Sequence, residues 1–335
     1  MVKAFGQIMI KRRTFIKKSA WAVGTTFATT SFLSSCSEPT TTSKETITKV
    51  TNTFQDIKIS LAQWSLNRAF FANKLNAEEF ANIAINDYGI NAVEYVNGFY
   101  KDKGNDEAFW QQMKERSDKA GVTNLLIMVD EEGDLGNTDA AARKQAVENH
   151  YKWVNAAKLL GCHSIRVNAF GEGKQEDIRS ALVDGMGQLV AYATKEGINI
   201  LIENHGLQSS NGKFIAGIMK EVNHPNFGTL PDFGNWCLNE KWGSTQNKKC
   251  TESYNIYQGV QDFMPYAKGV SAKSYDFDAD GNETQMDYAK FLQIVKEAGY
   301  DGYVGIEYEG ERLSEPDGIR ATKALLEKAW KQVNS

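Results

Sequence analysis

The chain has 335 residues, 41% of them hydrophobic and 24% charged, with 38 Lys or Arg against 42 Asp or Glu and a formal charge of −4. That is enough apolar material for a sizeable core. The acidic balance excludes nucleic acid, and anionic lipid surfaces, as partners held by bulk charge.

The positive charge that is present is unevenly placed. The first 35 residues hold six Lys or Arg and no acid, so the rest of the chain stands near −10 (−4 minus 6). Lys11-Arg12-Arg13-Thr14-Phe15 precedes a Thr-rich apolar run from Ala20 to Leu33, and Leu33-Ser34-Ser35-Cys36 follows. The paired arginines resemble a twin-arginine export signal, and the Leu-Ser-Ser-Cys ending resembles a lipobox. Residues 1–35 are therefore expected to be an export signal, with Cys36 lipidated at the new N-terminus. The expected location is the periplasm or an outer-membrane-anchored lipoprotein, with that lipid the sole membrane contact. An ordinary signal peptide or a short membrane anchor is the alternative, but the run is short and polar for a span. Residues 36–55 are rich in Ser and Thr and suit a flexible tether, leaving 56–335 for one domain.

Within that domain, β-rich apolar segments recur: IKISLAQ (57–63), NAVEYV (91–96), TNLLIMVD (123–130), SIRVNAF (164–170), INILIEN (198–204), FGTLPDF (227–233), KGVSAKSY (268–275) and YVGIEYE (303–309). Most are continuous apolar runs, as strands covered on both faces should be. Helical stretches between them close on Gly89, Gly121, Gly161, Gly197 and Gly299, where a helix end favours a left-handed residue. Eight such units, with 318–333 as a closing helix, predict a single (β/α)8 TIM barrel. A doubly wound open sheet is the alternative, and the missing Gly-rich loop after the first strand argues against it. Cys162 reads as a small core residue. Cys237 and Cys250 share one long loop and could pair in an oxidising compartment.

Active sites of such barrels sit at the C-terminal ends of the strands. Acidic residues close several late strands: Glu203, Asp232, Glu307 and Glu309. Carboxylates gathered at one mouth call for a divalent cation, and an oxygen-rich set suits one Mn, Co, Mg or Zn ion. Alternation places Glu203 with His205, Arg166 with Asn168, and Ser271 with Lys273 on shared faces. The DFDADGNET segment reads as a turn, because it lacks the distal Glu of a calcium loop.

The segments IENHG (202–206), LPDFGN (230–235), VSAKSYDFD (270–278) and GYVGIEYEG (302–310) resemble the sugar phosphate isomerase/epimerase branch of the xylose isomerase-like barrels. The resemblance runs from about Ile57 to the end. It implies one divalent metal held by Glu203, Asp232 and Glu307, with Ser271 standing where a strand-seven His is expected. Asn235 likewise stands where a His is common. The chemistry implied is proton transfer next to a carbonyl. Glu203 and Glu307 are the expected acid/base pair, with His205 a shuttle or substrate contact and Lys273 a source of positive charge. Glu94, Arg166, Asn168, Asn235, Trp64 and Glu309 are expected to hold an unphosphorylated sugar, with Glu94 alternatively paired to Arg166. Trp236, Phe99 and Tyr275 are further stacking candidates. Two other functions compete: a 3-keto-glycoside lyase or hydratase, and a non-catalytic sugar-binding lipoprotein.

Overall fold

The computed structural model describes residues 56–335. The expected signal, lipobox and tether, Cys36 included, lie outside the described residues. Eight strands form one sheet: β1 (Ile59–Ala62), β2 (Ala92–Val96), β3 (Thr123–Met128), β4 (Ser164–Asn168), β5 (Asn199–Glu203), β6 (Phe227–Leu230), β7 (Val270–Ser274) and β8 (Val304–Tyr308). Every ladder is parallel, and β1 pairs with both β2 and β8. The strands follow one another in chain order around the sheet, which leaves only β6 and β7 to be joined for the barrel to close.

The remaining joint, β6 to β7, carries isolated parallel bridges at Thr229–Ala267 and Asp232–Ser271 rather than a ladder. Backbone bonds from Ser271 N to Pro231 O (2.9 Å) and from Phe233 N to Ser271 O (3.1 Å) complete the ring. Outside it, the last helix (Glu315–Val333) reaches back to the helix Phe80–Tyr88, where Lys323 Nζ donates to Tyr88 O at 2.8 Å.

The helices begin and end where local chemistry dictates. Asp106, Asp139, Asn211, Asn255, Asp287 and Ser314 cap N-termini with side-chain oxygens. Gly89, Gly121 and Gly161 end helices with positive φ, as their positions predicted. Two helices not anticipated from sequence, Gly212–Val222 and Ile256–Phe263, complete the outer layer. Among the described residues no helix is long and apolar enough to cross a membrane.

Alternation sorts the strands into two cores. Outward side chains join the helices in a large cluster, whereas Ala92, Leu126, Met128, Leu201 and Leu230 form a smaller one on the opposite face of the strands. On several strands that inner face changes from small or apolar to charged toward the C-terminal end. Leu201 is followed two residues later by Glu203, Ser271 by Lys273, and Gly305 by Glu307. The strand periodicity of two thus stacks a charged layer on an apolar plug.

Candidate active site

The charged layer is buried. Glu94, Glu203, Asp232 and Glu307 are each no more than 4% exposed, as are the cations Arg166 and Lys273. Four buried carboxyl groups share two buried cations, so ionising all four at once is costly in low dielectric.

Lys273 sits at the centre of one half. Its Nζ lies 3.3 Å from Glu307, 3.2 Å from Glu309 and 4.0 Å from Asp232. Burial works against its charge, but these carboxylates overcome it and hold the ammonium well above the usual lysine range. Arg166 organises the other half, with Nη1 at 2.6 Å from Asp130 and Nε at 2.6 Å from Glu203. Glu94 is therefore not paired with Arg166, the alternative to its expected sugar contact, and Asp130 and Glu203 take that place.

Ser271 bears on the proton count. Its hydroxyl oxygen lies 2.7 Å from Asp232 Oδ2 and 2.8 Å from Glu307 Oε2. A hydroxyl has one proton to donate. Two ionised carboxylates therefore cannot both be satisfied, and the trio calls for a shared proton or a cation. Burial first, with Glu307 adding to it against the pull of Lys273, pushes the Asp232 carboxyl up to about 7. Burial, opposed by Arg166, also raises Glu203 well above the carboxylate range.

The residues fit a divalent cation. Glu203, Asp232 and Glu307 each offer an oxygen, all within 4.8 Å of one another. Asn235 Oδ1 is buried without a hydrogen-bond partner, and Glu203 Oε2 has the Arg166 ion pair but no hydrogen bond of good geometry, so both oxygens can turn to an ion. The donor set is all oxygen, as hard cations prefer. Ser271 faces two of these carboxylates, where the resemblance implied a histidine ligand.

His205 lies over Arg166 and Asp130. Burial and the nearby guanidinium lower its pKa to about 3, so the ring is neutral. Its Nδ1 is 2.8 Å from Asn168 Oδ1, while Asn168 Nδ2 donates to Asp130 at 2.6 Å. That relay places the proton on Nδ1 and leaves Nε2 an acceptor.

Glu94 sits beneath this layer, accepting from Ser60 Oγ at 2.6 Å. A Cβ on Gly305 would come within 2.5 Å of its Oε1, so glycine makes room for the carboxyl. Burial, partly offset by Ser60, pushes Glu94 up to about 7. A raised carboxyl contributes stability that is complete below its unfolded value and is lost as pH rises through 7. Glu94→Gln should therefore match the natural protein at pH 5 and exceed it at pH 8 by up to roughly 3 kcal/mol. Urea unfolding at the two pH values checks this; equal differences at both would refute it.

Above the charged floor opens a cavity of about 700 Å³, lined by Asp130, Arg166, His205, Glu307 and Glu309 below and by Trp64, Phe71 and Trp242 nearer the mouth. Trp64, Arg166, His205, Glu307 and Glu309 thus meet at one place, as the sequence suggested, while Glu94 lies under it. Trp236 is not a stacking surface. It is fully buried against Phe263, in space that Gly259 leaves open. The sequence reading missed Asp130, although it closes TNLLIMVD just as the late acids close their strands. It also missed Trp242, which lies in a loop without periodicity. That loop is stapled by a disulfide between Cys237 and Cys250. Cys162 is free and buried, as expected.

Residues 83–329 match the family described as xylose isomerase-like TIM barrel. The chain belongs to that family. Among its relatives is a putative hydroxypyruvate isomerase of Mus musculus, 23% identical over 219 residues, covering 59% of this chain and 74% of the relative. A shorter match, 40% identical over 65 residues and 18% of each chain, is to the C-glycoside deglycosidase alpha subunit of Arthrobacter globiformis. In three dimensions the chain is similar to 3-keto-D-glucoside 4-epimerase from E. coli, with a TM-score of 0.61 and 15% identity. That alignment covers 81% of this chain and 99% of the other.

Proposed function

We propose that this protein is a divalent-metal-dependent sugar isomerase/epimerase that moves a proton next to the carbonyl of an unphosphorylated sugar. The observation that carries this reading is the cluster of Glu203, Asp232 and Glu307 at the barrel mouth, buried with more carboxyl groups than cations. These three, with Asn235 and Ser271 beside them, would hold the ion. Once bound, a Mn, Co, Mg or Zn ion supplies Lewis acidity toward the sugar's carbonyl and hydroxyl oxygens.

The chain's own groups then divide the work. Glu203, in its ionised form beside Arg166, takes the proton from carbon, and Glu307 returns one at the same or the neighbouring carbon. Lys273 and Arg166 hold positive charge beside the oxygens on which negative charge develops. The neutral Nε2 of His205 accepts from a sugar hydroxyl, with Asn168 fixing the ring. Trp64 offers an apolar wall and Glu309 a rim acceptor, while Glu94 supports the floor. The lining acids Asp130, Glu131, Glu132, Glu240, Glu307 and Glu309 outnumber Lys101, Arg166 and Lys241. That balance disfavours a phosphorylated substrate.

A second reading, a 3-keto-glycoside lyase, is supported by the relatives named for glycoside chemistry. Glu203 would take the proton from the carbon next to the ketone, the electron pair would form a C=C bond as the glycosidic C–O bond breaks, and the leaving oxygen would take a proton from Glu307 to depart as the alcohol. The non-catalytic binder is a third, which the buried acid cluster disfavours. We also place the protein outside the cytoplasm, a reading the Cys237–Cys250 disulfide supports.

Deuterium uptake tests the proposal. Protein loaded with Mn2+ is incubated in D2O with unphosphorylated ketoses and 3-keto-glucosides. Label at the carbon next to the carbonyl, lost on chelation, is expected. Alcohol release alongside would favour the lyase, and no label with any sugar would sink the enzyme reading.

A further inference from the structure

The proposed chemistry occupies only the floor of a cavity that is about 700 Å³ in volume. Pockets of ~300–1,000 Å³ take drug-sized ligands, and one pyranose leaves much of this space unfilled. The upper part is aromatic. Among the described residues, the exposed large hydrophobic side chains are Phe71, 59% exposed, and Trp242, 43% exposed. A single exposed aromatic needs no explanation, but both of these line the same cavity.

Each wall is built rather than incidental. On one side Phe71 packs on Phe99 at 5.0 Å and meets Trp64 edge-on at 5.9 Å. On the other, Trp242 crosses His205 at 5.0 Å and Phe170 at 5.6 Å, both nearly perpendicular. The Trp242 backbone has φ of +68°, a left-handed conformation that L side chains adopt at a cost. The surroundings enforce it. Lys241 bridges Gly206, and a Cβ on Gly206 would approach Glu240 O to 2.3 Å, or one on Gly243 would approach Gly206 N to 2.4 Å. The Cys237–Cys250 disulfide closes the same loop. Strain held this firmly under an exposed indole is what a ligand platform requires.

We infer that the outer half of this cavity is a second ring subsite, so that the substrate is a glycoside whose aglycone is a flat aromatic ring or a second pyranose. The inference rests on the sugar reading above and narrows it to substrates larger than free ketoses. Both kinds of ring present a face that stacks on Trp242 and on the Phe71 wall.

The test is calorimetric titration of the Mn2+-loaded full-length protein with three probes: methyl 3-keto-β-D-glucopyranoside, its phenyl counterpart and 3-keto-cellobiose. The phenyl glycoside or the disaccharide should bind about 10-fold more tightly than the methyl glycoside, and which of them does so identifies the aglycone. In Trp242→Ala and in Phe71→Ala that advantage should fall to under about 2-fold, with methyl glycoside affinity retained as the sign of an intact floor. Trp242→Phe should recover most of it. Equal affinity for all three probes would overturn the subsite while leaving the sugar reading standing. Absence of binding by all three while a free ketose still binds would overturn the subsite alone, and absence of binding by the ketose as well would overturn both.

Discussion

Replacing Lys273 with Met should destabilise the protein by about 3–5 kcal/mol, the usual cost of removing one partner from a buried ion pair. Met conserves most of the side-chain volume, so the loss reports charge rather than a cavity. Without Nζ, Glu307 and Asp232 lose the ammonium now 3.3 Å and 4.0 Å away, and the Asp232 carboxyl, which Lys273 holds down against burial, takes up a proton more readily. The folded variant then binds more protons than its unfolded chain, so its stability falls as pH rises. The deficit should be smallest near pH 5 and largest near pH 8. Millimolar Mn2+ should restore part of it, because an ion bound only by the folded state stabilises by mass action. Denaturant titrations at both pH values, with and without Mn2+, measure all of this. A loss below about 1 kcal/mol that ignores pH would mean that Lys273 does not hold the cluster together.

Glu203→Gln should lower kcat by about 10²–10⁴-fold, the range associated with removing a positioned general base. The amide keeps the shape of the side chain, and Arg166 keeps its 2.6 Å contact with Asp130. Because Glu203 would also hold the ion, the comparison is made at Mn2+ concentrations where metal analysis shows the variant loaded; substrate affinity should then change much less than turnover. Deuterium uptake should fall in parallel with kcat, because both depend on removal of the same proton. A variant that exchanges label normally but fails to form product would assign the first proton transfer to Glu307 instead.

The eight strands were legible because most are continuous apolar runs at a regular spacing, and most helix ends because glycine marks them. Glu203, Asp232 and Glu307 could be picked out because a charge closing an apolar strand is conspicuous. Alternation then put Lys273 and Arg166 beside them. Pairing was harder. Which carboxylate Arg166 meets depends on how neighbouring strands are staggered, and the register of β2 against β3 shifts at Val93/Glu94, a local irregularity with no sequence signature here. The aromatic residues were ambiguous for a different reason. Trp236 and Trp242 lie six positions apart in one loop, yet Gly259 buries the first while a strained backbone exposes the second.

Seven of the eight joints in the barrel wall are hydrogen-bonded ladders, and one is a seam of isolated bridges between β6 and β7. Asp232 and Ser271 form one of those bridges. A joint with few backbone bonds is the easiest place for a parallel barrel to breathe, since opening it sacrifices little. The two residues that set the proton count of the charged layer therefore ride on the most yielding stretch of the wall. Amide hydrogen exchange should be faster at Phe233 and Ser271 than along β4 or β5. An ion gripping Asp232 together with Glu203 and Glu307 would act as a rivet across that seam, coupling occupancy of the site to the rigidity of the whole ring.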